Sequence, residues 1–295
     1  MAFDNLPDLG PAFTPEGEAY SVWALEKSQA AAASLRVEFD IPYGDDPFQK
    51  LDLWLPANAS LRDLPVVVYI HGGGWVRGYK EWNGFMAQRL SAIPAILVSP
   101  NHRLSTTAKY PRPLDDVLAA LAWVYRNIEK YHGSKHRIFI GGHSSGGHLA
   151  ALAALRTDLL PTHGLPADVV KACFPLSAPL DLRLERCVPG GRREKLVRAF
   201  LERDNQDREA SAIEHTARAT VPMLLAWGSE DIDEVREHNE LMAERMRATK
   251  NCVFEYMVIP GATHTGTHRV FLDKNNPYVE TMCAWIAKVP ESARA

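Results

Sequence analysis

The stretch Gly141-Gly142-His143-Ser144-Ser145-Gly146-Gly147-His148-Leu149 decides how the rest of the chain is read. Before it stands Arg137-Ile138-Phe139-Ile140, short, β-branched and aromatic, the composition of a buried strand. After it, Leu149-Ala150-Ala151-Leu152-Ala153-Ala154-Leu155 consists of strong helix formers with no breaker. Ser144 is therefore expected at a strand-to-helix turn, with Gly142 and Gly146 completing a G-x-S-x-G pattern. Small residues there let the backbone turn sharply and let helix and strand approach closely. Such a turn lifts a hydroxyl above the sheet edge, where a base can reach it. The helix N-terminus behind it favours developing negative charge. Ser144 is the candidate nucleophile.

Outward from this turn, strands alternate with helices. Leu64–Ile70 and Ile93–Ser99 are nearly all apolar, as strands covered on both faces of a parallel sheet are. Leu35–Ile41 and Gln49–Leu55 instead alternate apolar with polar around the turn Tyr43–Pro47, which predicts an antiparallel hairpin at a sheet edge. Leu114–Tyr125 has apolar positions at helical spacing and reads as a crossover helix. Further strands are expected at Ala172–Ser177, Pro222–Trp227 and Cys252–Ile259, and helices at Phe85–Leu90, Val235–Arg247 and Tyr278–Val289. No stretch repeats. The pattern predicts one α/β domain over residues 36–295, a mostly parallel sheet with helices on both faces. Residues 1–35 form an arm whose Ala-rich part, Glu18–Leu35, reads as one or two helices that either cap a pocket or pack on the core edge. Residues 183–220, charged and helix-like around Arg192–Leu201, are either a modest insertion over the site or a surface helix. A small lid from these two segments is the expectation.

Composition narrows the function. With 46% hydrophobic and 23% charged residues the 295-residue chain can bury a large core, and a net charge of −3 offers no basic field for nucleic acid. The start has no cationic stretch and no apolar run, and no segment is long enough to span a bilayer. Cys173, Cys187, Cys252 and Cys283 are scattered without paired spacing. They read as reduced thiols of a cytoplasmic protein rather than as a zinc site or disulfide frame. The partner expected is a small ester or amide, with a homodimer left open.

A serine nucleophile needs a base, and the base an orienting acid. His264, in Pro260-Gly261-Ala262-Thr263-His264-Thr265 after the last strand, is the leading base; His268, His143 and His148 compete. Asp231, in Gly228-Ser229-Glu230-Asp231-Ile232-Asp233-Glu234, is the leading acid, with Asp233 and then Asp181 behind it. The candidates all follow strands, so they should meet on the rim where such sheets bind ligands. The loop His71-Gly72-Gly73-Gly74-Trp75 offers backbone amides free of side chains, and Gly73 and Gly74 with Ser145 are assigned to hold an oxyanion. No phosphate-loop, dinucleotide or H-E-x-x-H motif occurs, so neither a cofactor nor a metal is expected.

With these residues in hand, residues 36–290 resemble the α/β-hydrolase superfamily, whose nucleophile–acid–base order matches Ser144, Asp231, His264. His71–Trp75 and Gly142–Ala150 look like the hormone-sensitive-lipase-like carboxylesterases, and equally like the branch of arylformamidases and feruloyl or acetylxylan esterases. Tyr43-Gly44, Leu51–Leu53 and Gly228–Val235 are similar to the formamidase branch. Gly74 stands where that branch has a bulky residue, and Thr265 where it has Phe. The resemblance implies a cofactor-free hydrolase of a carboxylic ester or reactive amide. Its rivals are an arylformamidase proper, and a non-catalytic ligand receptor on the same scaffold.

Overall fold

The computed structural model describes Phe3, residues 6–249 and residues 252–288. Eight strands form one sheet: β1 Arg36–Pro42, β2 Lys50–Leu55, β3 Leu64–Ile70, β4 Ile96–Pro100, β5 Gly133–His143, β6 Val170–Leu176, β7 Met223–Glu230 and β8 Phe254–Thr263. Their order across the sheet is β1-β2-β4-β3-β5-β6-β7-β8. β1 pairs with β2, and β2 with β4, antiparallel; every other neighbour is parallel. This is the α/β-hydrolase sheet, with the expected hairpin at one edge.

Patterning explains the placement of each strand. β3 and β4 are buried along their whole length, as strands covered on both faces must be. β1 alternates exposed and half-buried positions because it is the edge. β5 is longer than its apolar run: it begins at Gly133, opposite Leu64, and its register with β3 shifts before it resumes at Ile138 opposite Val66. The core lies in two layers on the two sheet faces. One holds Val66, Val68, Ile138, Ile140 and Leu149; the other holds Val67, Tyr69, Phe139, Phe174 and Leu224.

Helices α1 Pro15–Ala32, α2 Ala87–Ser91, α3 Arg112–Asn127, α4 Ser145–Leu155, α5 Arg192–Phe200, α6 Asp233–Arg247, α7 His264–Arg269 and α8 Pro277–Ala287 connect and cover the strands. The Ala-rich arm is one helix, capped by Thr14, whose hydroxyl accepts from the Gly17 amide at 3.1 Å. α1 buries Tyr20, Ser21, Ala24, Ser28 and Ala31 on one stripe. It lies against the short 3₁₀ helix Lys80–Met86, where Ser28 Oγ accepts from the Phe85 amide at 2.9 Å. The last helix is shorter than its sequence expectation, and Val289 lies outside the described residues. Among the described residues no helix is long and apolar enough to cross a membrane.

Candidate active site

β5 ends at His143 and α4 begins at Ser145, so Ser144 is the whole connection between them. Its backbone sits at φ 55° and ψ −125°, a region a non-glycine residue enters only under constraint. The constraint is packing. A Cβ on Gly146 would lie 2.2 Å from the carbonyl oxygen of Ile70, and one on Gly142 would lie 2.4 Å from the Gly146 backbone. Strand and helix therefore approach as closely as glycine allows, and the turn between them has no room to relax.

β8 delivers His264 as the first residue of α7, with Thr263 capping the helix. His264 Nε2 lies 2.9 Å from Ser144 Oγ, and its Nδ1 lies 2.7 Å from Asp231 Oδ1. A ring held on Nδ1 by a carboxylate carries its proton there, leaving Nε2 free to accept from the serine hydroxyl. Two donors fix the His264 backbone: its carbonyl accepts from His143 Nε2 at 2.8 Å and from Thr267 Oγ1 at 2.7 Å.

Asp231 follows β7 and is 5% exposed. Burial pushes its carboxyl pKa up. The His264 hydrogen bond and charge, the Ser177 hydroxyl and the Ile232 amide outweigh burial and hold it below the ordinary value. Asp231 thus stays ionised against the ring. Asp233 does not join the site: it is exposed and pairs with Arg236 one turn along α6. Asp181 is fully buried, but Arg183 and Arg186 hold it.

The rival histidines have structural partners. His148 Nε2 donates to the Ala210 carbonyl at 2.7 Å while its Nδ1 accepts from Trp75 Nε1 at 3.2 Å; burial lowers its pKa to about 4. His143 is fully enclosed and burial pushes it down to about 3. Its ring stacks on His268 with centroids 5.0 Å apart, and His268 Nδ1 meets the Tyr20 hydroxyl of α1 at 2.6 Å. Burial lowers the pKa of His268 as well.

The glycine loop leaves the C-terminal end of β3 and faces Ser144. The amides of Gly73, Gly74 and Ser145 find no acceptor among the described residues. Gly72, left unassigned by the motif, packs directly on the serine: a Cβ there would lie 3.2 Å from Ser144 Cβ. Also invisible in the sequence is the support beneath Asp231, where Ser177 donates to Thr267 Oγ1 at 2.8 Å.

A cavity of about 250 Å³ opens over Ser144 and His264. Its walls are mostly apolar, built by Phe13 and Tyr20 of the arm, Trp82, Leu182, and Leu196 and Val197 from the 183–220 segment. Both segments therefore border the site. Phe13 lies over Gly74, whose Cβ would come within 3.0 Å of the Phe13 ring.

The BD-FAE family model matches residues 51–246 of the 295. Esterase LipC of Mycobacterium tuberculosis is 31% identical over 240 residues, covering 75% of this chain and 58% of that protein. This chain thus spans little more than half the length of that relative. Kynurenine formamidase of Danio rerio is 27% identical over 220 residues, covering 74% of this chain and 72% of that one. Among solved structures, the hyperthermophilic esterase of the archaeon Pyrobaculum calidifontis matches with a TM-score of 0.73 at 24% identity, over 92% of this chain and 91% of that chain. Sheet order, strand–serine–helix turn and family match agree: the chain belongs to the BD-FAE family of α/β-hydrolases.

Proposed function

We propose that the protein is a serine hydrolase that cleaves a small carboxylic ester through an acyl-enzyme. The observation that carries this reading is His264 bridging Ser144 Oγ and Asp231 Oδ1 at 2.9 and 2.7 Å. Ser144 Oγ attacks the ester carbonyl and its proton passes to His264 Nε2; Asp231 stabilises the imidazolium that forms. The amides of Gly73, Gly74 and Ser145 receive the negative charge of the tetrahedral intermediate. Collapse expels the alcohol with the proton from His264, and water, deprotonated by the same ring, releases the acid. Residues 1–35 and 183–220 act as the cap that gives the acyl and alcohol groups an apolar seat.

The likeness to esterase LipC supports ester cleavage, and that to the zebrafish kynurenine formamidase supports a second reading, the same steps on an aryl formamide. The arm favours the ester. Phe13 occupies the space beside Gly74, and Thr265 donates to Glu16 Oε1 at 2.6 Å, so both departures from the formamidase pattern are built into the contact with the arm. A screen of short p-nitrophenyl esters beside N-formylkynurenine tests the choice. Turnover of the esters well above that of the formamide is expected; the reverse order selects the formamidase reading. Turnover of neither, with binding retained, would select a ligand receptor.

A further inference from the structure

Arg77 follows the glycine loop and borders the cavity, yet it is 7% exposed. Its stem lies against the loop: a Cβ on Gly73 would stand 3.1 Å from Arg77 Cγ. Its Nε and one terminal nitrogen, NH1, have no acceptor among the described residues. The other, NH2, is 3.9 Å from Glu18 Oε2, beyond hydrogen-bond reach, and that carboxylate oxygen already accepts from the Ala12 amide at 2.9 Å. The Trp82 ring, 6.0 Å from the guanidinium carbon, is the remaining compensation. A buried charge without hydrogen-bonded partners is costly and is normally paired.

The rest of the wall is balanced in charge, which leaves Arg77 as the surplus. Arg192 and Arg193 of α5 border the cavity too. Of its two glutamates, Glu16 is occupied by the hydroxyls of Thr263 and Thr265 at 2.9 and 2.6 Å. Glu234 lies exposed at the start of α6. An apolar chamber with an unanswered guanidinium beside the oxyanion loop fits an apolar body ending in an anion.

We infer that the substrates carry a carboxylate and that Arg77 holds it, an inference that rests on the ester-hydrolysis reading above. Nη2, the guanidinium nitrogen not enclosed by protein, can donate a charge-assisted hydrogen bond to a carboxylate oxygen, and the volume of about 250 Å³ suits a short dicarboxylic half-ester or an acylated hydroxy acid. Arg77 is then a specificity-determining residue, remote from proton transfer.

Two matched pairs test this: mono-p-nitrophenyl glutarate against p-nitrophenyl valerate, and p-acetoxybenzoate against p-tolyl acetate. The first puts the anion on the acyl side, the second on the alcohol side. In at least one pair the anionic member is expected to have a kcat/KM higher by roughly tenfold or more, the size of a charged hydrogen bond. Arg77→Met should bring that ratio to about one or below, and Arg77→Lys should leave it in between. Arg77→Met should also melt at or above the wild-type temperature, because it removes an unpaired buried charge; a purely structural arginine would lower the melting temperature. Preference for the neutral member in both pairs, or a preference that Arg77→Met leaves unchanged, overturns the inference. Calorimetry on Ser144→Ala with the same four esters reads binding without turnover. A wild type that hydrolyses none of them would remove the hydrolase reading alone. Tighter binding of an anionic member, lost in Ser144→Ala/Arg77→Met, would still support the carboxylate seat, and equal affinities would refute it.

Discussion

At the scale of single residues, the proposed chemistry concentrates on three side chains from three connections. Ser144→Ala should lower kcat by on the order of 10⁴- to 10⁶-fold while the melting curve stays put, since only the nucleophile is lost. Steady-state rates on a p-nitrophenyl ester check this, and near-wild-type turnover would end the serine mechanism. Asp231→Asn should cost up to ~10⁴-fold by favouring the wrong imidazole tautomer. Asp233→Asn should cost nearly nothing, because its carboxylate faces solvent and Arg236; the opposite ranking would move the acid to Asp233. Ser144 and His264 were legible because each follows a strand and lies in a recognisable loop. Asp231 was harder to single out: four acids fall within five residues there, and only the fold buries one of them against the ring. Gly72 was visible as part of the glycine loop but had no role assigned, and Ser177 and Thr267 carried no signal, being small residues whose value comes from what the sheet brings beside them.

Among elements, the turn between β5 and α4 is the tightest. Gly146→Ala would push a methyl group to 2.2 Å from the Ile70 carbonyl, against backbone that a side-chain rotation cannot clear. The expected outcome is a loss of roughly 3 kcal/mol or more, read as a lower urea midpoint or insoluble expression. An Ala variant of wild-type stability would mean that the helix can retreat from the strand. Strands were legible wherever their faces had distinct fates: β3 and β4 by continuous apolar runs, β1 and β2 by alternation. α1 was legible as helix, but the choice between capping the pocket and packing on the core edge was left open. Its buried stripe is Ser21, Ala24, Ser28 and Ala31, residues equally common on exposed faces, and only Tyr20 has the size of a core residue. Nothing local distinguishes a small-residue stripe that lets a neighbour come close from one that simply faces water. α7 was missed because His264–Arg269 is a single short turn, held by contacts to its first carbonyl rather than by an apolar pattern.

For the molecule as a whole, the histidines set the acid limit. His71, His143, His148, His238 and His268 are all buried, and burial pushes each below its ordinary value, His148 to about 4 and His143 and His238 to about 3. In the unfolded chain they take up protons near pH ~6.5, whereas in the fold they stay neutral. The stability they lend is therefore complete above that value and is lost as pH falls through ~6.5 toward the folded values of about 4 and 3. Each should contribute up to ~1.4 kcal/mol per pH unit in that window. Melting temperatures at pH steps between 7.5 and 4.5 should fall steeply on the acid side, and a flat profile would contradict the buried neutral rings. Dialysis against EDTA should leave ester hydrolysis unchanged; loss restored by zinc would replace the serine by a metal-bound hydroxide.

Segments far apart in sequence meet beside the cavity. Tyr20 reaches His268, and Glu16 reaches Thr263 and Thr265, across sequence separations of 247 to 249 residues. A ribosome therefore makes the arm well before the residues that receive it. Until β8 and α7 emerge, α1 can rest on the Lys80–Met86 segment and against His143, with its tyrosine hydroxyl and Glu16 unanswered. A chain released before residue 264 would have its serine turn and glycine loop but not the histidine proposed as base, so under the proposed mechanism the order of synthesis would keep an unfinished copy inactive.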